Sequence, residues 1–370
     1  RTQLKYNLGR NYLHWWNDRP LFADRSLRGN LYQNSRLKAE SFLKEIEALK
    51  LYGMDGFSAL TCNAEQTANY IKACNLADEK KVQDFLLMPE FYGGNLVKYY
   101  EPALERTIVS DHVFRVNHRA IIGSYAATSW PPVKWGAFLA KMREKYSENF
   151  LFVADIRKGA PVSKFQESKV TVDEIRDDQQ RIRDYLDICD GVMFGGTKHL
   201  RFYDSDNSYG DPVNADYLKN YLVPVMRSVL AENEYKGKLF GLSVALGYVN
   251  PFSGSVKRQS GTRALRETME IAADASPDFI ECTEWNEYTE NSGFQPSLAK
   301  SFAIQRILRY YCRKMRNLPP IPNPNDNPAI PNLIYSCRRT AMLGEKIGIE
   351  LLNVPDTLHD ELYSIELKFK

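Results

Sequence analysis

Eight short apolar, β-rich runs recur along the chain with helical segments between them, and this alternation restricts the fold more than any single motif does. The runs are Tyr12–Trp16, Asp55–Leu60, Phe85–Phe91, Ala120–Ala126, Phe150–Ile156, Gly191–Gly196, Leu239–Tyr248 and Asp278–Trp285. Amphipathic segments fill most of the gaps: Leu37–Leu51, Ala64–Asn75, Val133–Tyr146, Thr171–Ile188, Ala215–Glu234 and Arg263–Ala273, with Ser297–Met315 after the last run. A strand that returns through a helix emerges parallel to its predecessor, and about eight such units close into a (β/α)8 TIM barrel. Junction residues agree. Gly53 ends one helix with the residue that best tolerates a left-handed cap, and Met54-Asp55-Gly56-Phe57 then opens a strand. Asp190-Gly191 before Val192-Met193-Phe194 repeats the device. The connection between the third and fourth runs is long, and no helix is legible in it.

Of the 370 residues, 44% are hydrophobic, enough to fill a barrel core over residues 1–317. Beyond it the composition changes to Leu318-Pro319-Pro320-Ile321-Pro322-Asn323-Pro324, with Pro328 and Pro331 following, so residues 318–332 read as a stiff proline-rich strap. Residues 333–370 read as a small β appendage, with alternating strands expected at Lys346–Leu351 and Tyr363–Phe369.

The 49 basic and 46 acidic residues are dispersed and leave a net charge of +3, so no electrostatic footprint for nucleic acid emerges. No run approaches the roughly 20 apolar residues of a membrane helix, and no membrane insertion is expected. Cys62, Cys74, Cys189, Cys282, Cys312 and Cys337 form no CxxC pair and have no histidine at ligand spacing, so no zinc site is expected, while one or two disulfides stay open. Neither a metal nor an organic cofactor is implied. The chain begins with Arg1 rather than Met, in keeping with removal of a signal peptide. Oligomeric state is not legible.

Barrels of this type place their chemistry just past the C-terminal ends of the strands. Read in order, those ends supply His14, Trp15, Trp16 and Asp18; Glu90; Trp130; Asp155 with Arg157; His199; Tyr248; and Trp285-Asn286-Glu287-Tyr288-Thr289-Glu290. Acids and aromatics together suit a sugar cleft, in which two carboxyl groups act as acid and base and rings pack on the sugar. The last run is the densest, with Glu281, Glu284, Glu287 and Glu290 inside ten residues of an apolar strand. Each feature has a plainer reading: Trp15 and Trp16 as a barrel plug, Glu90 as a surface acid, the terminal cluster as a solvated loop. Asp155 directly after a buried run is the exception, since a buried acid needs a partner. Lys257-Arg258-Gln259-Ser260-Gly261-Thr262-Arg263 reads as a solvated loop or a cationic clamp.

Asp278-Phe279-Ile280-Glu281, then Trp285-Asn286-Glu287-Tyr288-Thr289-Glu290 and Pro296, resembles the final-strand motif of glycoside hydrolase family 71, P-D-F-V-E followed by T-W-N-D-Y-G-E-S. The related family 99 shows N-E-W-H-E with a proline six residues on, a spacing that Glu290 and Pro296 keep. Gly53 to Phe57 resembles the I-D-G-F second strand of both. The resemblance covers the layout of residues 10–316. It implies a (β/α)8 endo-acting enzyme for α-linked glucan or mannan, with Glu290 as the general acid and Glu287 as the partner carboxylate; the strand-end residues Trp15, Trp16, Asp18, Glu90, Trp130, Asp155, His199, Tyr248, Trp285, Asn286 and Tyr288 are the candidates to bind the sugar. The partner glutamate of family 99 is thought to deprotonate the sugar 2-hydroxyl. Thr289 and Asn291-Ser292-Gly293 depart from both families, which leaves the sugar open. Enzymes of this kind are usually exported, so an extracytoplasmic site is expected. A catalytically silent glycan-binding barrel and a structural or assembly barrel are the alternatives.

Overall fold

The computed structural model describes residues 39–60, 64–82, 84–92, 96–147, 149–157, 159, 162–197, 215–250, 255–257, 261–285, 292–297, 299–323, 326–327, 332–337, 343–344, 347–354, 364, 366 and 368. Seven strands form the frame: β1 (Gly56–Leu60), β2 (Leu86–Tyr92), β4 (Arg119–Tyr125), β5 (Phe150–Asp155), β6 (Gly191–Phe194), β7 (Leu239–Ala245) and β10 (Phe279–Thr283). All pair in parallel and in chain order, with β3 (Arg115–Val116) folded antiparallel onto β4. Helices α1 (Ala39–Leu51), α2 (Ala64–Glu79), α3 (Leu96–Ile108), α4 (Pro132–Tyr146), α5 (Val162–Gln166) and α6 (Val172–Leu186) precede or connect the first of these strands. After β6 come α7 (Ala215–Tyr217), a π turn (Leu218–Leu222) and α8 (Val223–Leu230) in one rod, then α9 (Arg263–Ala275) and α10 (Ala303–Met315) around β10.

The sheet bends back on itself. Met54, just ahead of β1, packs against the same apolar cluster as Ile280 and Cys282 of β10, and its Sδ lies 4.0 Å from Cys312 Sγ on α10. This is a nearly closed (β/α)8 barrel. The remaining strand expected at Tyr12–Trp16 lies outside the described residues.

Period-two alternation decides what fills it. Met88, Ile121, Leu151, Val153, Met193 and Leu239 point inward and meet in one buried cluster, joined by Phe114, Val116 and Phe279. Their neighbours in sequence, such as Leu87, Ile122, Phe152, Val192 and Phe240, point outward beneath the helices. Each such side chain contributes roughly 1.5–3 kcal/mol by leaving water. Strands β4 to β7 are buried almost throughout, as a sheet covered on both faces must be.

Local signals explain the helices. Thr171 and Glu174 close a reciprocal capping box at the start of α6, and Pro132 occupies the first turn of α4, where a missing N–H costs nothing. On α10, Ile304, Ile307, Leu308 and Tyr311 recur at helical spacing and are buried.

Four details differ from the sequence reading. The run Leu239–Tyr248 is two strands, because β7 stops at Ala245 and Tyr248–Asn250 forms β8, paired antiparallel with β9 (Ser255–Lys257). The long third connection holds α3, whose register Ala103, Leu104, Thr107 is buried although Pro102 interrupts its hydrogen bonding. The appendage strands are β11 (Leu333–Cys337) and β12 (Ile349–Asn353), antiparallel, with Leu333 opposite Asn353. The first was missed because it follows directly on the prolines; the strand expected at Tyr363–Phe369 lies mostly outside the described residues, and Ser364, Glu366 and Lys368 within it carry no regular structure. Lastly, Ile334 and Val354 bury against Leu265, Met269 and Ile304, so the appendage shares a core with α9 and α10. The strap is held to α10 by Arg306 with Asp326 and by Arg309 with Asn323 at 3.0 Å.

Among the described residues, Cys74, Cys189, Cys282, Cys312 and Cys337 form no disulfide, and no helix is long and apolar enough to cross a membrane.

Candidate active site

The same alternation that fills the barrel with apolar groups changes character in its last layer. One step beyond Met88 on the inner face of β2 comes Glu90; beyond Val153 on β5 comes Asp155; beyond Phe279 on β10 comes Glu281. Three carboxyls therefore converge at the C-terminal end of the barrel, and their surroundings separate them into two kinds.

Asp155 is 1% exposed and fully engaged. Its Oδ1 accepts from the Gly195 N–H at 2.8 Å, and its Oδ2 accepts from the Ala126 N–H at 2.9 Å and from Arg157 Nε. The Arg157 guanidinium in turn lies over the Tyr125 ring, 3.8 Å from its centroid. Gly195 is required here, because a Cβ would stand 2.7 Å from both carboxylate oxygens. Asp155 thus ties the ends of β4, β5 and β6 into one rim.

Glu90 and Glu281 have no such support. Burial pushes Glu90, 5% exposed, well above the ordinary carboxylate range, and the charges of Glu281 and Asp155 push it further while Arg157 and Ser58 oppose. Glu281 is raised to about 7, first by burial and then by Asp155, again with Arg157 and Ser58 opposing. The Ser58 hydroxyl on β1 leans toward both, yet it is buried and forms no hydrogen bond of full geometry. The Thr283 and Ser292 hydroxyls are also buried without a partner. Gly123, opposite Glu90 in the ladder, leaves the room its side chain occupies: a Cβ there would lie 3.1 Å from Glu90 Cγ.

Past β10, the described residues 284–285 and 292–297 lie side by side. The Phe294 N–H donates to the Glu284 carbonyl at 2.9 Å and the Gln295 N–H to the Trp285 carbonyl at 2.8 Å, so two backbone bonds close a loop whose sequence contains Glu287 and Glu290. The returning limb is buried at Ser292, Phe294, Gln295 and Ser297. From α10 and the turn before it, Gln305 donates to the Phe294 carbonyl and Lys300 Nζ to the Gly293 carbonyl at 2.8 Å. Trp285 packs into the apolar clusters between α1, β1 and α10, and its indole N–H donates to Glu45 Oε2 at 2.6 Å.

Of the residues singled out in the sequence, Glu90 and Asp155 meet at the mouth, and Trp285 stands at the root of the loop. Trp130 packs on Trp135 with ring centroids 5.4 Å apart, and its carbonyl accepts from the Tyr185 hydroxyl at 2.6 Å, which places it in the helix layer. Tyr248 is buried in β8. Trp15, Trp16, Asp18, His199, Asn286, Glu287, Tyr288 and Glu290 lie outside the described residues. Glu281, Ser58, Glu45 and Gln295 were passed over as site residues. The first was findable, since counting by two from Phe279 puts Glu281 on the inner face; the other three carry no local signal, being defined by contacts made far along the chain.

No protein-family model and no curated protein matches the sequence. Among the solved structures that match are two of the GH99 endo-alpha-mannosidase from Bacteroides thetaiotaomicron. One, in complex with bis-tris propane, aligns at a TM-score of 0.56 and 15% identity over 77% of this chain and 87% of that one. The other aligns at 0.54 and 16% identity over 77% and 81%. The (β/α)8 architecture of this chain thus resembles that of the GH99 endo-alpha-mannosidase in fold.

Proposed function

We propose that this barrel is a glycoside hydrolase that cuts α-linked glucan or mannan internally, with Glu290 as general acid and Glu287 as partner carboxylate, and that it acts outside the cytoplasm. The observation that carries the reading is the pair of weakly supported carboxyls, Glu90 and Glu281, at the open end of the barrel beside the tied loop. Glu281, raised to about 7, both donates and accepts hydrogen bonds at neutral pH, which matches a ligand covered in hydroxyls. The buried hydroxyls of Thr283, at the end of β10, and Ser292, on the returning limb, form no hydrogen bond and add polar atoms nearby. The fold shared with a family 99 enzyme supports the same reading.

On this reading Glu290 gives its proton to the leaving glycosidic oxygen while Glu287 takes one from the attacking hydroxyl, so the two must differ in protonation when the substrate arrives. Glu90 and Glu281 hold the ring from below, through hydrogen bonds that their protonated carboxyls donate and accept. The test is release of new reducing ends from α-1,3-glucan, α-mannan and other α-linked polysaccharides by the wild type and by Glu290→Gln. Cleavage by the wild type, lost in the variant with the melting temperature unchanged, is expected. Glycan binding without cleavage by both proteins would instead establish a lectin-like barrel, and unfolding of the variant would make Glu290 a structural residue.

A further inference from the structure

In sequence, the acids proposed for catalysis fall between two described limbs, and residues between such limbs need something rigid to define their position. The two limbs are rooted at Glu284-Trp285 on the way out and Phe294-Gln295 on the way back, joined by the two backbone bonds described above. One further group reaches both limbs. Glu45, on the inner side of α1, accepts the Trp285 indole N–H at 2.6 Å and is also hydrogen-bonded by the Gln295 side chain.

Nothing in the packing of α1 calls for an acid at that position. Leu43, Ile46 and Leu49 supply its apolar face, and burial pushes the Glu45 carboxyl up to about 7 against the lowering effect of Trp285 and Gln295. A carboxyl there costs stability that an apolar residue of similar size would not. What it adds is a connection. The indole N–H is a donor with no other use, and Glu45 fixes it, so the ring, wedged between the α1–β1 and α10 clusters, is held in rotation as well as in depth. Gln295 is fixed by the same carboxyl ten residues later.

We propose that Glu45 is a clasp that holds both limbs of the loop containing Glu287 and Glu290, and so acts as a positioning residue for the acid pair. Only the kinetic consequence rests on the glycosidase reading; the holding of the loop stands on the contacts alone. Glu45→Ala removes the clasp. Glu45→Gln preserves its shape, keeps an acceptor for the indole and offers an amide to the Gln295 carbonyl oxygen, so it serves as the conservative rescue.

Hydrogen exchange at the Phe294 and Gln295 amides reads the loop roots directly, with β5 amides such as Phe152 and Val153 reporting on the whole fold. In Glu45→Ala the two root amides are expected to exchange at least about tenfold faster while β5 is unchanged, and Glu45→Gln is expected to restore most of the protection. In the reducing-end assay, Glu45→Ala is expected to lower kcat by about tenfold or more with KM within about threefold, since alignment of the acids matters in the transition state. Root amides as protected in Glu45→Ala as in the wild type would overturn the proposal, as would a loss of protection shared equally by β5. A change confined to KM would overturn the link to the acids. A wild type that cleaves no glycan would sink the glycosidase reading alone, and the exchange data would still decide whether Glu45 holds the loop.

Discussion

Asp155, buried, and Glu281, half-buried, occupy the same layer of the barrel with opposite energetics. Asp155 accepts from three donors, so its charge is the state the site is built around; turning it to Asn puts an amide NH2 against the Gly195 N–H in one orientation and against Arg157 and the Ala126 N–H in the other. Asp155→Asn is expected to cost about 2–4 kcal/mol, read as a lower melting temperature at pH 7, because it also strands a guanidinium with little exposure. Glu281 has no such set of donors, and its charge is disfavoured. Glu281→Gln is therefore expected to leave stability unchanged or higher at pH 8 while lowering glycan cleavage, and a loss of stability as large as that of Asp155→Asn would refute this division. Sequence reasoning reached Asp155 because a carboxyl after Phe-Leu-Phe-Val-Ala has no water to turn to. It passed over Glu281, which looked like one charge among four, although only its place in the alternation distinguishes it from Glu284. The partners of both, Gly195 from β6 and Ser58 from β1, come from other strands and have no signature in the local sequence.

At the scale of elements, the barrel was legible because strand and helix periods alternate cleanly, whereas the additions to it depend on contacts between distant segments. Helix α9 has no cap of its own: the Thr262 side chain makes no capping bond, and the Thr262 N–H instead donates to Glu350 Oε2 at 2.8 Å. Glu350 belongs to β12 and also accepts from Thr262 Oγ1 at 3.0 Å, Arg266 at 2.9 Å and Ser336 at 2.7 Å. Although burial works the other way, these bonds hold its carboxyl below the usual range. Gly261, with φ +68°, lets the chain pass this close, since a Cβ would meet Glu350 Oε2 at 2.4 Å. The segment read as a solvated loop or a cationic clamp therefore ends in a joint between the barrel and its appendage, 88 residues apart in sequence. A negative group at a helix N-terminus that also satisfies an orphan N–H is worth about 1–2 kcal/mol. Glu350→Ala should accordingly lower the melting temperature by a few degrees, with Glu350→Gln between it and the wild type; an unchanged melting temperature in Glu350→Ala would mean that the apolar contacts of Ile334 and Val354 hold the joint by themselves.

For the molecule as a whole, the raised carboxyls set the direction in which stability changes with pH. Glu45 and Glu281 each move from 4.5 to about 7, and Glu90 is also raised, first by burial and then by the charges of Glu281 and Asp155. In each case the folded protein keeps a proton that the unfolded chain releases near pH 4.5; for Glu45 and Glu281 folding therefore binds protons between about 4.5 and 7, and stability falls as pH rises through that window. The contribution is complete below the unfolded value and is lost above the folded one. Glu101, Glu105, Glu174 and Glu232 shift the opposite way through hydrogen bonds and ion pairs with Lys145, Lys164 and Arg183, but these are exposed pairs that water and salt screen, so they offset little. Glu350 adds a term of that sign from a more sheltered site, and it acts only as pH drops below 4.5. The expected curve therefore peaks between about pH 4.5 and 6 and descends toward pH 8, Glu45 and Glu281 each costing on the order of 3 kcal/mol at the alkaline end and Glu90 adding in the same direction. Thermal unfolding from pH 4.5 to 8.5 reads it directly. Glu281→Gln should flatten the descent, because an amide has no proton to lose, and its melting temperature should cross above that of the wild type near neutrality. A wild type that gains stability from pH 5.5 to 8, or a Glu281→Gln curve that runs parallel to it, would mean that Glu281 is solvated at the mouth and carries its charge freely.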